Sequence, residues 1–129
     1  MSGPPISRLV AIVDDDESLQ RSLQDLIESD GLSTICFSSA EKFLDFDARG
    51  GVSCLIADIR MPGMSGLELQ ERLKAERYGI PIIFVTAHGD AKMKIRALRD
   101  GALGFLSKPF DDAVLLEIVH TAVKRSGNG

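Results

Sequence analysis

Five short apolar runs divide the chain: LVAIV at 9–13, STICF at 33–37, VSCLIA at 52–57, PIIFVT at 81–86 and FLS at 105–107. They read as continuous rather than alternating, the pattern of strands covered on both faces. Segments of helical spacing lie between them. Leu19, Leu23, Leu26 and Ile27 recur at i, i+4, i+7 and i+8, and Gly31 stops that helix. Ser38 and Glu41 stand at capping-box spacing at the start of SSAEKFL, and Ser65 and Glu68 repeat it before LELQERLKAE. DAKMKIRALRDGA predicts a helix up to Gly101, and Asp111 opens a last one striped by Leu115, Ile118, Val119 and Ala122. Strand then helix, five times over with short connections, predicts an α/β fold with a parallel sheet.

At 129 residues the chain has the length of one domain. Residues 1–7 and 126–129 are small, polar or rich in Pro and Gly, and are expected to be mobile ends of a domain spanning 8–125. A net charge of −4 argues against direct nucleic-acid binding, since phosphate contacts need a basic surface. No stretch approaches the ~20 apolar residues of a membrane span. The opening MSGPPISRLV lacks the apolar core of a signal peptide, so a cytoplasmic location is expected. Cys36 and Cys54 each fall inside an apolar run and read as buried, reduced thiols.

In an open parallel sheet the ligand site lies beyond the carboxyl ends of the strands. Here the first strand ends in Asp14, Asp15 and Asp16, the third in Asp58, the fourth in Thr86, and the fifth in Ser107 and Lys108. The second offers only Phe37 and Ser38, which suits an edge strand. Three carboxylates in one small space raise one another's pKa, and a divalent cation removes the conflict. Oxygen donors without histidine or thiol point to Mg2+. The competing reading is that these aspartates are helix caps, a role that Asp16 fits well.

Taken together, VDDDES, DIRMPGMSG, VTAHGD and FLSKPF, in this order and spacing, resemble a response-regulator receiver domain of two-component signalling over residues 8–125. RMPGMSG with AHGD looks closest to the FixJ-type (LuxR-family) subgroup, whose members usually carry a C-terminal helix-turn-helix DNA-binding domain. The resemblance implies a flavodoxin-like, doubly wound sheet of five parallel strands in the order 2-1-3-4-5 with five helices. It implies that Asp58 is the phosphoacceptor, taking a phosphoryl group from the phosphohistidine of a sensor histidine kinase. Asp14, Asp15, Asp58 and the backbone carbonyl of Arg60 would hold Mg2+. Lys108 would bind a phosphoryl oxygen, Thr86 would swing to meet the phosphoryl group, and Phe105 would follow it inward. A cis peptide between Lys108 and Pro109 is implied as well. Such a protein is a signalling receiver rather than a turnover enzyme, catalysing only its own phosphorylation and a slow autodephosphorylation.

The residue types suit that chemistry independently of the family. Phosphoryl transfer asks mainly for positioning and charge neutralisation. A carboxylate nucleophile needs no deprotonation at neutral pH, and a lysine supplies a compact positive charge. Phe105 stands where many relatives carry tyrosine, so a hydroxyl contact is absent there. Arg60 and His88, two residues beyond Asp58 and Thr86, occupy positions that tune phosphoryl loss in the family. His88 equally suits an ordinary loop residue.

Lys92, Arg96 and Arg99 fall at i, i+4 and i+7 on the fourth helix, and Asp111 and Asp112 are candidate partners from a second copy. This surface is expected to serve a phosphorylation-dependent homodimer or an effector domain. The competing reading is a solvated helix face. Transcription regulation through a DNA-binding domain absent from this chain is the leading expectation; a stand-alone regulator acting by protein contact is the alternative. A haloacid-dehalogenase-type phosphatase needs an acid two residues after its nucleophile, where this chain has Arg60. An FMN carrier needs a hydroxyl-rich loop where this chain has DDDE. A receiver-shaped module that takes no phosphate would not need the set Asp15, Asp58, Thr86 and Lys108.

Overall fold

The computed structural model describes residues 8–46, 49–87 and 89–128. The expectations for residues 1–7 and for His88 lie outside the described residues. Strands β1 (Leu9–Val13), β2 (Ser33–Phe37), β3 (Val52–Ala57), β4 (Ile82–Thr86) and β5 (Gly104–Ser107) alternate with helices. These are α1 (Glu17–Ser29), α2 (Ala40–Leu44), α3 (Gly66–Ala75), α4 (Ala91–Arg99) and α5 (Asp112–Asn128), with a 3-10 turn at Arg49–Gly51. All strand pairs are parallel and the order is β2-β1-β3-β4-β5. This is the doubly wound, flavodoxin-like arrangement.

Alternate residues of the central strands feed two cores, which is why the runs look unbroken in sequence. Ala11, Val13, Leu55, Ala57 and Phe84 pack with Phe43 of α2, Leu69 and Leu73 of α3, and Ala97 of α4. On the opposite face Val10, Ile12, Ile56, Ile83 and Val85 meet Leu23 and Ile27 of α1, and Leu115, Val119 and Ala122 of α5. Cys54 is fully buried, and burial pushes its thiol up to about 12. Cys36 is only half-buried, on the edge strand, and both cysteines are free.

The helix ends explain most boundaries. Asp16 caps α1 by accepting from the Ser18 and Leu19 amides at 2.9 and 3.3 Å. Ser65 and Glu68 form the expected capping box, at 3.1 and 3.0 Å. Ser38 and Glu41 do not. The α2 cap is Ser39, whose hydroxyl accepts from Lys42 N–H at 3.1 Å, and the Glu41 carboxylate turns away from its own helix. Asp111 lies just outside α5, accepting from the Ala113 and Val114 amides at 2.8 and 3.2 Å.

Gly31 and Gly101 stop α1 and α4 with φ of 88° and 104°. At Gly101 the Ala102 N–H reaches back to the Ala97 carbonyl and the Gly101 N–H to that of Leu98, so α4 closes at Arg99. The last helix runs to Asn128, beyond the boundary expected at 125. Among the described residues no helix is long and apolar enough to cross a membrane.

Candidate functional site

Parallel register brings the ends of β1, β2 and β3 level and carries β4 and β5 two residues further: Val13 pairs with Phe37 and Ala57, Ala57 with Phe84, and Thr86 with Ser107. The polar residues that follow therefore share one edge of the sheet. Asp14 is held there by its N–H to the Phe37 carbonyl at 3.1 Å, and Asp58 by its N–H to the Val13 carbonyl at 3.0 Å. Lys108 is placed by its N–H to the Thr86 carbonyl at 3.0 Å, and the Lys108–Pro109 bond is cis.

The side chains converge as the strand tips suggest. Lys108 Nζ lies 3.2 Å from Asp14 Oδ2 and 3.4 Å from Asp58 Oδ2. The other Asp14 oxygen accepts from Asp16 N–H at 2.9 Å, and the other Asp58 oxygen from Ile59 N–H at 2.7 Å. Asp15 is exposed beside them. Carboxylate oxygens of Asp14, Asp15 and Asp58 lie within 4.8 Å of one another. An all-oxygen set of this charge suits a hard divalent cation such as Mg2+ better than zinc or copper.

Asp14 is buried, and its carboxyl sits above its usual 3.8. Burial is the main cause; the Asp16 N–H and the Lys108 ammonium oppose it, and the Asp58 charge adds to it. A raised folded value means that unfolding releases the proton more readily. In metal-free buffer this group's contribution is therefore intact below pH 3.8 and is lost as pH rises through the folded value. Asp14→Asn is expected to raise the thermal midpoint in EDTA at pH 7 by a few degrees, with the gain shrinking as pH falls toward 3.8. Calorimetry across that pH range checks it; a lower midpoint at pH 7 would contradict it.

Thr86 is fully buried at the end of β4. A Cβ on Gly89 would come within 2.7 Å of both the Phe105 ring and Thr86 Cγ2, so those two side chains share the space beside that glycine. The Phe105 ring also stands 6.3 Å from that of Phe84. Arg60 is exposed at the rim. On α4, Lys92 and Arg99 are exposed, while Arg96 pairs with Glu71 of α3. The middle member of the basic stripe is thus engaged within the chain. The Asp111 carboxylate serves the α5 cap, and Asp112 is exposed.

Three contributors escape sequence reasoning. Gln20 Nε2 donates to the Asp14 carbonyl at 2.5 Å and to that of Phe37 at 3.3 Å, clamping the loop after β1 to the end of β2. Gly66 lets the start of α3 press against the Asp58 backbone. Glu41 reaches the Met64 amide across the loop after β3. A glycine at the first position of a helix was the only local signal for any of them.

Comparison with known proteins agrees with this geometry. A family model described as response regulator receiver domain matches residues 10–120. Nodulation protein W of Bradyrhizobium diazoefficiens is 46% identical over 117 residues, covering 91% of this chain and 52% of that protein. The transcriptional regulatory protein FixJ of Azorhizobium caulinodans is 41% identical over 122 residues, covering 95% of this chain and 58% of that protein. The crystal structure of FixJ-N superposes with a TM-score of 0.81 at 38% identity, over 92% of this chain and 94% of that one. The chain spans about half the length of the curated relatives it matches.

Proposed function

The chain belongs to the response regulator receiver domain family, and on that premise we propose that it is a phosphorylation-driven switch whose acceptor is Asp58. A carboxylate oxygen of Asp58 attacks the phosphorus of a phosphohistidine on a sensor kinase. The P–O bond forms as the P–N bond breaks, and the imidazole keeps the electron pair and takes up a proton. Asp14, Asp15, Asp58 and the Arg60 carbonyl are the groups that would hold Mg2+. When bound, the ion supplies charge neutralisation at the transferring oxygens.

Lys108 supplies the second positive charge, and its ammonium, 3.2 and 3.4 Å from Asp14 and Asp58, is the observation that carries the reading. Phosphorylation adds about two negative charges at this point. Thr86 and Lys108 gain contacts only in that state, which biases the α4–β5–α5 surface. Lys92, Arg96 and Arg99, with Asp111 and Asp112 of a second copy, are the groups proposed to read the change. Arg60 and His88 are proposed to set how fast the phosphoryl group is lost. The relatives' length, and the transcriptional role in one of their names, support an output through a DNA-binding segment outside this sequence, in the cytoplasm.

Acetyl phosphate with Mg2+ is expected to add one phosphoryl group, mapped to Asp58 by mass spectrometry. The label should vanish in Asp58→Asn and in EDTA. Full labelling of Asp58→Asn would move the acceptor elsewhere and end the proposal.

A further inference from the structure

The loop between β3 and α3 carries the Arg60 carbonyl, one of the proposed ion-holding groups. Its ends are fixed to the sheet and the helix. Asp58 N–H bonds the Val13 carbonyl at 3.0 Å, Gly66 N–H bonds the Ile59 carbonyl at 2.8 Å, and Ser65 joins the capping box with Glu68. Toward the α3 end of the loop, one residue before the Ser65 cap, Met64 N–H donates to Glu41 Oε2 at 3.0 Å, across 23 residues of sequence.

Glu41 is well placed for this. It lies in the first turn of α2, between Ala40 and Phe43, both 0% exposed, and Phe43 packs edge-on to Phe37 at 5.4 Å. The carboxylate lies against the loop backbone at Gly63 and Met64. Gly63 has φ of 78°, and a Cβ there would come within 2.5 Å of Glu41 Oε2. Capping-box spacing directs such a glutamate to its own helix, yet here the N-cap is Ser39 and the carboxylate is committed to the neighbouring loop.

We propose that Glu41 is a positioning residue for the phosphoacceptor site: its carboxylate braces the loop at Met64 and so fixes where the Arg60 carbonyl points. Mg2+ tolerates little deviation from octahedral oxygens at about 2.0–2.1 Å. A carbonyl on a loop left unbraced ahead of α3 meets that demand only part of the time. Partners beyond the direct ligands commonly affect metal affinity by about 10–100-fold. The inference rests on the phosphoacceptor reading above.

Three variants of the full chain separate reach from charge. Glu41→Gln keeps the length and an acceptor oxygen, Glu41→Asp keeps the charge but withdraws it by one methylene, and Glu41→Ala removes both. Mg2+ affinity is read by titration calorimetry and Met64 amide exchange by NMR, with thermal midpoints as the check on folding. Glu41→Asp and Glu41→Ala are expected to weaken Mg2+ binding by about tenfold and to speed Met64 exchange, with Glu41→Gln near wild type in both.

Should Glu41→Ala fail to fold, the Gln and Asp variants carry the comparison. Wild-type behaviour of Glu41→Asp, or a weak Glu41→Gln beside it, would overturn the brace. A wild-type protein that neither binds Mg2+ nor labels at Asp58 defeats the phosphoacceptor reading itself, and the inference with it. Normal wild-type labelling with indifferent variants defeats the brace alone.

Discussion

Gly66→Ala is expected to destabilise the protein by about 3 kcal/mol, roughly 10 °C in thermal midpoint for a chain of this size, and to slow labelling of Asp58. The added methyl would lie 2.2 Å from the Asp58 carbonyl oxygen and 3.0 Å from both the Asp58 carbonyl carbon and the Ile59 Cα. All three are backbone atoms, so no side-chain rotation makes room. Either α3 retreats, breaking the Gly66–Ile59 hydrogen bond, or the peptide after Asp58 shifts. The second route displaces the Ile59 N–H that holds one Asp58 oxygen at 2.7 Å. Overpacking against flexible side chains usually costs about 1–3 kcal/mol, and a rigid backbone belongs at the upper end. Denaturant unfolding and acetyl phosphate labelling of the same sample test both halves; an unchanged midpoint would show that the close approach is not kept in solution.

Lys108→Ala is the second large effect, and its signature is dependence on Mg2+. The Lys108 side chain is one-fifth exposed, and its ammonium faces two aspartate side chains that are 3% and 9% exposed. Removing it leaves Asp14 and Asp58 without their shared counter-charge. Loss of one partner of a well-buried pair costs about 3–5 kcal/mol. Some solvent access and the option of protonating Asp14 reduce the expected loss to about 2 kcal/mol in EDTA. Mg2+ should stabilise the variant more than the wild type, because the cation would replace the missing charge. Asp58 labelling should fall by about 100-fold, the scale on which one transition-state donor acts. Thermal melts with EDTA and with Mg2+ supply the measurement. Equal midpoints for variant and wild type in EDTA would mean that the ammonium does not offset the two acids.

Legibility in the sequence followed the range of the interaction. Strands buried on both faces announce themselves as unbroken runs, and the residues that end them are then aligned by parallel register. That is why Asp14, Asp58 and Lys108 were readable as one group, with Thr86 at the neighbouring strand end. The Ser65–Glu68 box was equally readable, being complete within four residues. The Ser38–Glu41 spacing looked the same and misled, because burial of Ala40 and Phe43 sets the phase of α2 and puts the cap at Ser39. Where Glu41 then points depends on a loop 23 residues away. The role of Gly66 likewise depends on how tightly the chain folds back on the Asp58 carbonyl, which no local pattern encodes. The Arg96–Glu71 pair joins two helices and is invisible to a reading of α4 alone.

That pair has a consequence for how readily any assembly of two copies comes apart. Arg96 and Glu71 are both solvent-accessible, 42% and 55% by side chain, so their attachment contributes only about 0–1 kcal/mol. A neighbour's carboxylate would displace one weak bond and make another, an exchange close to thermoneutral. Holding power in such an assembly would then come from apolar area, which Ile95 and Leu98, 64% and 42% exposed on the same helix, and Val114 of α5, 43% exposed, would provide. In the proposed assembly, charge on this helix would sort partners and orient them, and the exposed aliphatic residues would set how long they stay.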